Sequence, residues 1–334
     1  GNSSLHVCGW ALGDRKSPST TTPCLVGLAG DCETDSQITP FNASTNNEIP
    51  QTLTLSANLP LSPPEFAENL PIYSTKIGHV LPPSLDEADA GEPAGSGGLL
   101  PISWQRLNHD TSLLNLEFEP SVVVLVDAVQ LASQQGKLVD ALIAIKHKFP
   151  GALVWTPGIG GPDNLAVLTW FGVDIFDLAR SRQCTAANFI LTSNGPRKPV
   201  PQSGEDTDLE SQVVHWKLAI SEVKARLADG TLRTLVEQQA INSPKLVEHL
   251  RYHDKLARYN SDVGISHVPK DTILHCNSHT SLSNPVVTKW TDFMIEQYRP
   301  PEGLDNVLLL LPCSAKKPYR MSKSHRKFLD VVGH

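Results

Sequence analysis

The segment ALVWTPGIGGPDNLAVLTWFGVDIFDL, residues 152–178, places two hydrophobic runs on either side of a glycine-rich turn and a short apolar stretch. Residues 152–155 predict a buried strand, because they are mostly large and apolar and are followed by turn residues. Pro162 suits the first turn of a helix and Gly172 its end, so a helix is predicted between them. Residues 173–178 predict the next strand. This order of elements is typical of a parallel βαβ unit.

The same alternation continues on the N- and C-terminal sides of this segment. Residues 121–127, SVVVLVD, predict a buried strand, and residues 131–148 repeat apolar side chains at a helical period. After a polar break, residues 188–192 predict a fourth strand. Strands that alternate with helices predict an α/β sheet or barrel, and we assign residues 101–206 to a partial barrel of this kind.

The glycines of the turn allow two interpretations. Gly158, Gly160 and Gly161 precede a helix, and glycines at that position can cradle a phosphate group. Their spacing matches neither the dinucleotide pattern nor the P-loop pattern, so a tight turn between strand and helix is favoured.

Asp177 lies at the C-terminal end of a predicted strand, where α/β barrels hold their catalytic groups. The structural alternative is an aspartate that caps a helix or pairs with Arg180 or Arg182. The residues alone favour the structural role, and both alternatives remain open.

The rest of the chain divides into three regions. Residues 1–100 are rich in small polar residues, proline and glycine, and we expect irregular β structure with loops there. Residues 207–261 predict a helical linker that starts at a Thr207-x-x-Glu210 capping box. Residues 262–334 predict a second, small α/β domain. The shorter segments predicted within these regions are a strand at 53–59, a flexible acidic stretch at 81–98, helices ending at Gly230 and spanning 232–241 and 244–259, and a helix at 284–298.

The segment DNVLLLLPCSAKKPYRMSKSHRKFLDVV, residues 305–332, carries the densest group of reactive side chains. Residues 306–311 predict a buried strand, and Ser322 is a good N-cap for a following helix. Cys313 lies in the loop between them, where nearby cations and a helix N-terminus favour the thiolate, so it is a candidate nucleophile. His325 could transfer protons. The alternative is a structural cysteine that packs as a small hydrophobic residue, followed by a solvated basic helix.

Composition limits the remaining possibilities. The chain has 334 residues, a formal net charge of −7, and 40% hydrophobic and 19% charged residues, which is ordinary for a globular protein. No apolar stretch approaches the roughly 20 residues that a membrane span needs, so we expect no membrane association. Six scattered cysteines without a C-x-x-C pair favour a reducing, cytoplasmic location. The sequence starts at Gly1 and stops soon after the basic helix, so we expect a truncated chain.

His275, Cys276 and His279 have a spacing that could suit a metal ion. No fourth ligand is evident in this loop-like segment, so we predict no metal site.

The spacing of seven residues around Cys313 resembles the signature of the archaeosine synthases. These are archaeal tRNA-modifying enzymes related to the tRNA-guanine transglycosylases. Residues 161–163 and 172–177 also resemble a transglycosylase segment near the end of a TIM barrel, in which Asp177 would match the nucleophile. The seven signature residues are Pro312, Cys313, Lys317, Pro318, Tyr319, Ser322 and His325.

The chain departs from the transglycosylases in two respects. It has no Asp-Ser-Gly-Gly-Phe-Gln motif, and residues 203–217 contain no cysteine where those enzymes bind zinc. The resemblance therefore implies a barrel portion that binds substrate or tRNA without exchanging the base. In that setting Arg233, His249, Arg251 and His253 would face solvent or tRNA, and the residues do not decide between these.

The resemblance implies a reaction on tRNA that carries 7-cyano-7-deazaguanine in its D-loop. Free lysine would be joined through its side-chain amine to the nitrile, and a partner radical S-adenosylmethionine protein would cleave the adduct to archaeosine. No cofactor is expected for this chain itself. Two other classes stay open, a true tRNA-guanine transglycosylase and a non-catalytic tRNA-binding subunit. The oligomeric state is left open, with a homodimer as one option.

The hypothesis assigns a role to each signature residue. Cys313 attacks the nitrile carbon and His325 supplies a proton to its nitrogen. Lys317 and Ser322 position the base or the lysine carboxylate, and Tyr319 stacks or donates a hydrogen bond. Residues expected to bind substrate are Asp177, Gly161, Lys316 and Arg326.

Overall fold

The computed structural model describes residues 9–13, 16–45, 52–57, 73–76, 93–94, 99–109, 113, 120–259, 273–303, 305–306, 309–316 and 319–332. The chain forms two compact units, residues 1–289 and residues 290–334.

The larger unit is built on a curled sheet. Within the described residues this sheet has nine strands, and six neighbouring strands in its middle and at one edge run parallel. The strands of this unit are β1 Ala11–Gly13, β2 Pro18–Thr21, β3 Cys24–Leu28, β4 Phe41–Thr45, β5 Thr52–Ala57, β6 Tyr73–Lys76, β7 Pro93–Ala94, β8 Leu99–Ile102, β9 Val122–Leu125, β10 Leu153–Trp155, β11 Ile175–Phe176, β12 Ile190–Thr192 and β13 Gly195–Arg197.

The order of strands across the sheet is β7-β6-β5-β4-β3-β11-β10-β9-β8. The parallel part runs from β4 to β8, and β5, β6 and β7 extend it with antiparallel pairs. Cα atoms of β6 and β8 lie within 8 Å of each other, so the sheet curls and its two edges approach. This architecture is compatible with the predicted partial TIM-barrel-like domain.

Side chains on both faces of the parallel strands are buried, and they alternate between two hydrophobic clusters. Val122 and Val124 of β9 pack in one hydrophobic cluster, whereas Val123 and Leu125 pack in the other. Successive side chains of a strand point to opposite faces, so each cluster covers one face of the sheet. Parallel sheets covered on both faces use such continuous hydrophobic runs, which is why these strands could be predicted from sequence.

Helices cover the face of the sheet that carries the larger cluster. α6, α7 and α8 bury Trp216, Val236 and Leu250 in that cluster, so the predicted helical region 207–259 is helical and packs on the α/β core. The ten α-helices among the described residues are α1 Trp104–His109, α2 Ala128–Ser133, α3 Lys137–Lys148, α4 Leu165–Trp170, α5 Ala179–Ala186, α6 Leu209–Ala228, α7 Leu232–Ala240, α8 Pro244–Tyr259, α9 Pro285–Glu296 and α10 Lys323–Val332.

Polar residues also hold these helices in place. The predictions for the N-cap of α6 and for three basic residues of α7 and α8 were wrong. The N-cap of α6 is Asp208, whose carboxylate accepts the Ser211 N–H at 2.8 Å, in place of the predicted Thr207 capping box. Arg233, His249 and His253 are buried and so face neither solvent nor RNA. Arg233 pairs with Asp254 through two hydrogen bonds of 2.7 Å, because a buried guanidinium needs a carboxylate partner.

Two predicted strands differ from the structure. Residues 190–192 pair antiparallel with β13 in a small separate hairpin, and do not extend the parallel sheet. Residues 309–311 of the smaller unit form no strand, and Leu310 is 81% exposed. A strand needs a neighbour to accept its backbone hydrogen bonds, and the described residues of that unit contain none. The predicted acidic stretch 81–98 falls almost entirely outside the described residues.

Candidate functional site

The smaller unit brings three signature residues into contact at the start of α10. The ring of Tyr319 stacks on the ring of His325, with centroids 4.9 Å apart and planes 16° from parallel. The hydroxyl oxygen of Ser322 lies 2.9 Å from Nδ1 of His325. We call Tyr319, Ser322 and His325 the histidine cluster.

Local backbone structure produces the cluster. Ser322 precedes α10, and its Oγ accepts the backbone N–H of His325 at 3.1 Å, as expected of an N-cap. Tyr319 begins a short 3-10 turn, Tyr319–Met321, which closes when the Ser322 N–H donates to the Tyr319 carbonyl at 2.8 Å. These two turns bring the three side chains together, because residues three apart share one side of a helix.

Burial sets Ser322 and His325 apart from their surroundings. Ser322 is 3% exposed and His325 5% exposed, whereas most described residues of this unit are exposed. Phe328 adds an edge-on contact to the imidazole, with ring centroids 5.7 Å apart. The imidazole ring of His325 therefore contacts Tyr319 on one face, Phe328 in an edge-on arrangement, and Ser322 at Nδ1.

Cys313 lies in the exposed loop that precedes the cluster. It is a free, exposed thiol with no hydrogen-bond partner among the described residues. The alternative of a buried structural cysteine is therefore wrong. Lys316 and Arg326 are exposed, and Lys317 lies outside the described residues. The roles assigned to these residues stay predictions.

In the larger unit, Asp177 is 1% exposed and accepts three hydrogen bonds. Trp155 Nε1–H and the Gly158 N–H both donate to Oδ2 at 3.0 Å, and the Ala179 N–H donates to Oδ1 at 3.0 Å. Burial raises the pKa of Asp177, and these three hydrogen bonds oppose that rise. Through these hydrogen bonds, Asp177 connects the end of β11 to the glycine-rich turn and to the first turn of α5.

The predicted partners of Asp177 bind other carboxylates. Arg180 makes a bidentate pair with Asp163, and Arg182 pairs with Asp31. The predicted pairing of Asp177 with Arg180 or Arg182 is therefore not observed, and its Oδ1 instead accepts the backbone N–H of Ala179, the first residue of α5.

The glycine-rich turn is filled by the protein itself. The Gly161 N–H donates to Asn164 Oδ1 at 2.8 Å, so that backbone donor is already used. A Cβ at Gly161 would collide with Arg180 and Asp163, and one at Gly160 with Phe176. The turn is thus closely packed in this structure, and substrate binding by Gly161 stays a prediction.

Comparisons with known proteins show what this chain is similar to. A family model described as a domain of unknown function (DUF5591) matches residues 287–334, which contain every signature residue. Archaeosine synthase of Haloferax volcanii is 30% identical over 234 residues, covering 65% of this chain and 39% of that protein. Archaeosine synthase of Methanocaldococcus jannaschii is 26% identical over 233 residues, covering 69% of this chain and 38% of that protein. This chain is a relative of the archaeosine synthases.

A third relative of the chain is archaeosine synthase subunit alpha of Thermoplasma acidophilum, which is 26% identical over 215 residues. That match covers 64% of this chain and 40% of that protein. The chain thus spans about two fifths of the length of the archaeosine synthases that it matches.

Among the described residues, no three His, Cys, Asp or Glu side chains lie close enough together to hold a metal ion. Within the same part of the chain, no helix has both the length and the apolar character needed to cross a membrane.

Sequence reasoning missed two contacts of these sites. The ring contact of Phe328 with His325 follows from their i, i+3 spacing on α10 and could have been predicted. The hydrogen bond from Trp155 to Asp177 joins residues 22 positions apart, and no local pattern indicates it.

The Asp177→Asn variant tests the structural role of this carboxylate. An amide keeps one acceptor oxygen and turns an NH₂ group toward a backbone or indole donor. We expect the free energy of unfolding to fall by about 1–3 kcal/mol, the size of an unsatisfied buried polar group. Urea unfolding would measure the change.

Asp208→Asn is the matched control, because Asp208 is an exposed N-cap at which asparagine caps equally well. We expect its free energy of unfolding to change by less than about 0.5 kcal/mol. Equal stability of the Asp177→Asn and wild-type proteins would contradict the structural role.

Proposed function

We propose that this archaeosine synthase relative joins lysine to the nitrile of 7-cyano-7-deazaguanine in tRNA. The observation that carries the proposal is the buried His325, which is held by Ser322 and Tyr319 and lies twelve residues after the exposed thiol of Cys313. A fixed imidazole and an accessible thiol in one short segment are the groups that covalent addition to a nitrile needs.

The proposed reaction has two steps. In the first, His325 takes the proton of the Cys313 thiol, the sulfur adds to the nitrile carbon, and the nitrile nitrogen takes that proton. The product is a thioimidate. In the second, the side-chain amine of lysine adds to the same carbon and the thiolate leaves, while a proton from the amine restores the thiol. The result is an amidine, and no oxidant or reductant takes part.

Exposed cations around the histidine cluster would bind the RNA backbone. The whole chain has a net charge of −7, so attraction to phosphate requires a local basic surface. Such a surface surrounds the start of α10, where the cations lie on the outside and the imidazole is buried. The exposed cations are Lys316, Arg320, Lys323, Arg326 and Lys327.

The names of some relatives support the proposal of a protein partner. Some relatives are named archaeosine synthase subunit alpha, which implies a second subunit for those proteins. We propose that a radical S-adenosylmethionine protein takes this role for the present chain and cleaves the lysine adduct. The half-barrel of the larger unit would then contribute to tRNA binding.

Incubation of the chain with tRNA that carries the nitrile base and with radiolabelled lysine tests the function. We expect label to enter the tRNA, and none to enter tRNA that carries guanine at the same position. Tight binding of the nitrile tRNA without incorporation would support the alternative of a non-catalytic binding subunit. Exchange of labelled guanine into unmodified tRNA would support a transglycosylase.

A further inference from the structure

Ser322 was expected to position the base or the lysine carboxylate, but its surroundings indicate a different role. The side chain is 3% exposed, and its hydroxyl makes three contacts inside the protein. It accepts the His325 backbone N–H at 3.1 Å, lies 2.9 Å from His325 Nδ1, and lies 3.2 Å from Ser324 Oγ. A hydroxyl has one hydrogen and two acceptor lone pairs, so these three contacts use its full capacity.

We propose that Ser322 is a positioning residue that accepts the Nδ1–H of His325 and leaves Nε2 as the nitrogen that transfers protons. Both lone pairs of Ser322 Oγ then accept from His325, one from the backbone N–H and one from the ring. The single hydroxyl hydrogen is donated to Ser324. The proposal rests on the function proposed above and assigns Ser322 a role in it without contact to substrate.

The requirements of proton transfer select this tautomer from the two that the distances allow. Nε2 can take a proton from a thiol only if it carries a lone pair, which places the ring hydrogen on Nδ1. Ser322 can accept that hydrogen both from the neutral ring and from the imidazolium. The reverse arrangement, in which the serine hydroxyl donates to Nδ1, would leave Nε2 protonated and unable to act as a base.

The aromatic neighbours keep Nε2 in a fixed direction. Tyr319 covers one face of the ring and Phe328 meets it edge-on, so rotation that would exchange the two nitrogens is hindered. Among the described residues, Nε2 of His325 has no hydrogen-bond partner, whereas Nδ1 is held by Ser322. Nε2 is therefore the nitrogen that remains available for a reacting group.

Three substitutions of Ser322 separate the tautomer from the helix cap. Ser322→Asp keeps the cap and can only accept, so it should hold the hydrogen on Nδ1 as in the wild type. Ser322→Thr keeps both the cap and the hydroxyl. Ser322→Gly removes the hydroxyl, and glycine at an N-cap lowers helix stability by only a few tenths of a kcal/mol.

Nuclear magnetic resonance of the full chain with ¹⁵N-labelled histidine reads the tautomer directly. The signal of His325, one of 12 histidines, would be assigned by its loss in His325→Gln. We expect a protonated Nδ1 in the wild type, Ser322→Thr and Ser322→Asp, and a different proton distribution in Ser322→Gly. An unprotonated Nδ1 in the wild type, or a Ser322→Gly spectrum equal to that of the wild type, would overturn the proposal.

Activity gives a second readout. Ser322→Gly should lower lysine transfer by about 10²-fold, the lower end of what general acid–base catalysis contributes, and Ser322→Thr should restore most of it. A wild-type chain with protonated Nδ1 that transfers no lysine would refute the proposed function and leave the positioning role. Lysine transfer by a chain with unprotonated Nδ1 would refute the positioning role alone.

Discussion

Replacing Cys313 by serine is expected to abolish lysine transfer to the nitrile tRNA. A cysteine side chain is a few per cent thiolate at neutral pH and strongly nucleophilic, whereas a serine hydroxyl is essentially un-ionised. The rate should fall by a factor on the order of 10⁴ or more, as when a catalytic nucleophile is removed from other enzymes. Single-turnover transfer of radiolabelled lysine would measure it.

Binding of tRNA should survive this substitution. Cys313 is exposed and makes no hydrogen bond with the described residues, so serine in its place disturbs no packing seen in the structure. Cys276→Ser is the matched control, because Cys276 is also an exposed free thiol and lies outside the signature. We expect that variant to transfer lysine at the wild-type rate.

The covalent step can also be observed by itself. Without lysine, the wild-type chain should form a thioimidate with the nitrile tRNA, which mass spectrometry would detect on the peptide containing Cys313. Full turnover by Cys313→Ser would contradict the covalent mechanism. It would favour a different mechanism, in which the signature residues only bind lysine and the amine attacks the nitrile directly.

The parts of the fold that could be predicted from sequence are those with a local cause. Residues 121–127 and 152–155 contain β9 and β10, because strands buried on both faces need continuous apolar runs. Helices α6 to α8 follow from apolar residues at helical spacing. The contact of Ser322 with His325 has a local cause as well, since an N-cap lies beside the third helical residue.

The pairing of distant strands has no such local cause. β3 pairs with β11 through Cys24 opposite Ile175 and Leu25 opposite Phe176, about 150 positions apart in sequence. Residues 1–100 are expected from the sequence to hold irregular β structure with loops, whereas β3 and β4 belong to the parallel part of the sheet. Which strands become neighbours depends on burial of the whole sheet, and a single strand's sequence does not encode its partner.

Buried charges were also beyond the reach of sequence patterns. Lys146 lies on α3 in the run IAIKHK, which suggests an exposed lysine near the end of a helix. In the structure it is 2% exposed, and its ammonium group donates to Asp174 at 2.7 Å and to the Ala152 carbonyl at 3.1 Å. Asp174 also accepts the Val154 N–H at 2.9 Å, so this ion pair joins α3 to both β10 and the start of β11.

This ion pair leads to the largest expected change in stability. Lys146→Met keeps a long side chain but leaves the carboxylate of Asp174 buried without its cation. Removing one partner of a buried pair lowers the free energy of unfolding by about 3–5 kcal/mol. Urea unfolding followed by tryptophan fluorescence would measure the change at pH 7. Lys148→Met, on the same helix but only partly buried, should shift stability by less than about 0.5 kcal/mol.

The loss of stability caused by Lys146→Met should depend on pH in a defined direction. Burial raises the pKa of Asp174, and the ammonium group of Lys146 opposes that rise, so removing Lys146 raises the pKa further. A carboxyl with a raised pKa in the folded state favours folding when it is protonated, and this contribution is lost as pH rises through the folded pKa. The difference between Lys146→Met and wild type should therefore shrink as pH falls from 7 toward about 4, the ordinary pKa of aspartate.

A second substitution tests whether the unpaired charge causes the loss. Asn at position 174 keeps an oxygen for the Val154 N–H and removes the charge, so Lys146→Met with Asp174→Asn should be more stable at pH 7 than Lys146→Met alone. The pH dependence expected for the stability difference between Lys146→Met and wild type should be absent when the double variant is compared with wild type. Equal stability of the two variants at pH 7 would mean that the lost hydrogen bond from Lys146 to the Ala152 carbonyl, and not the unpaired carboxylate, causes the loss.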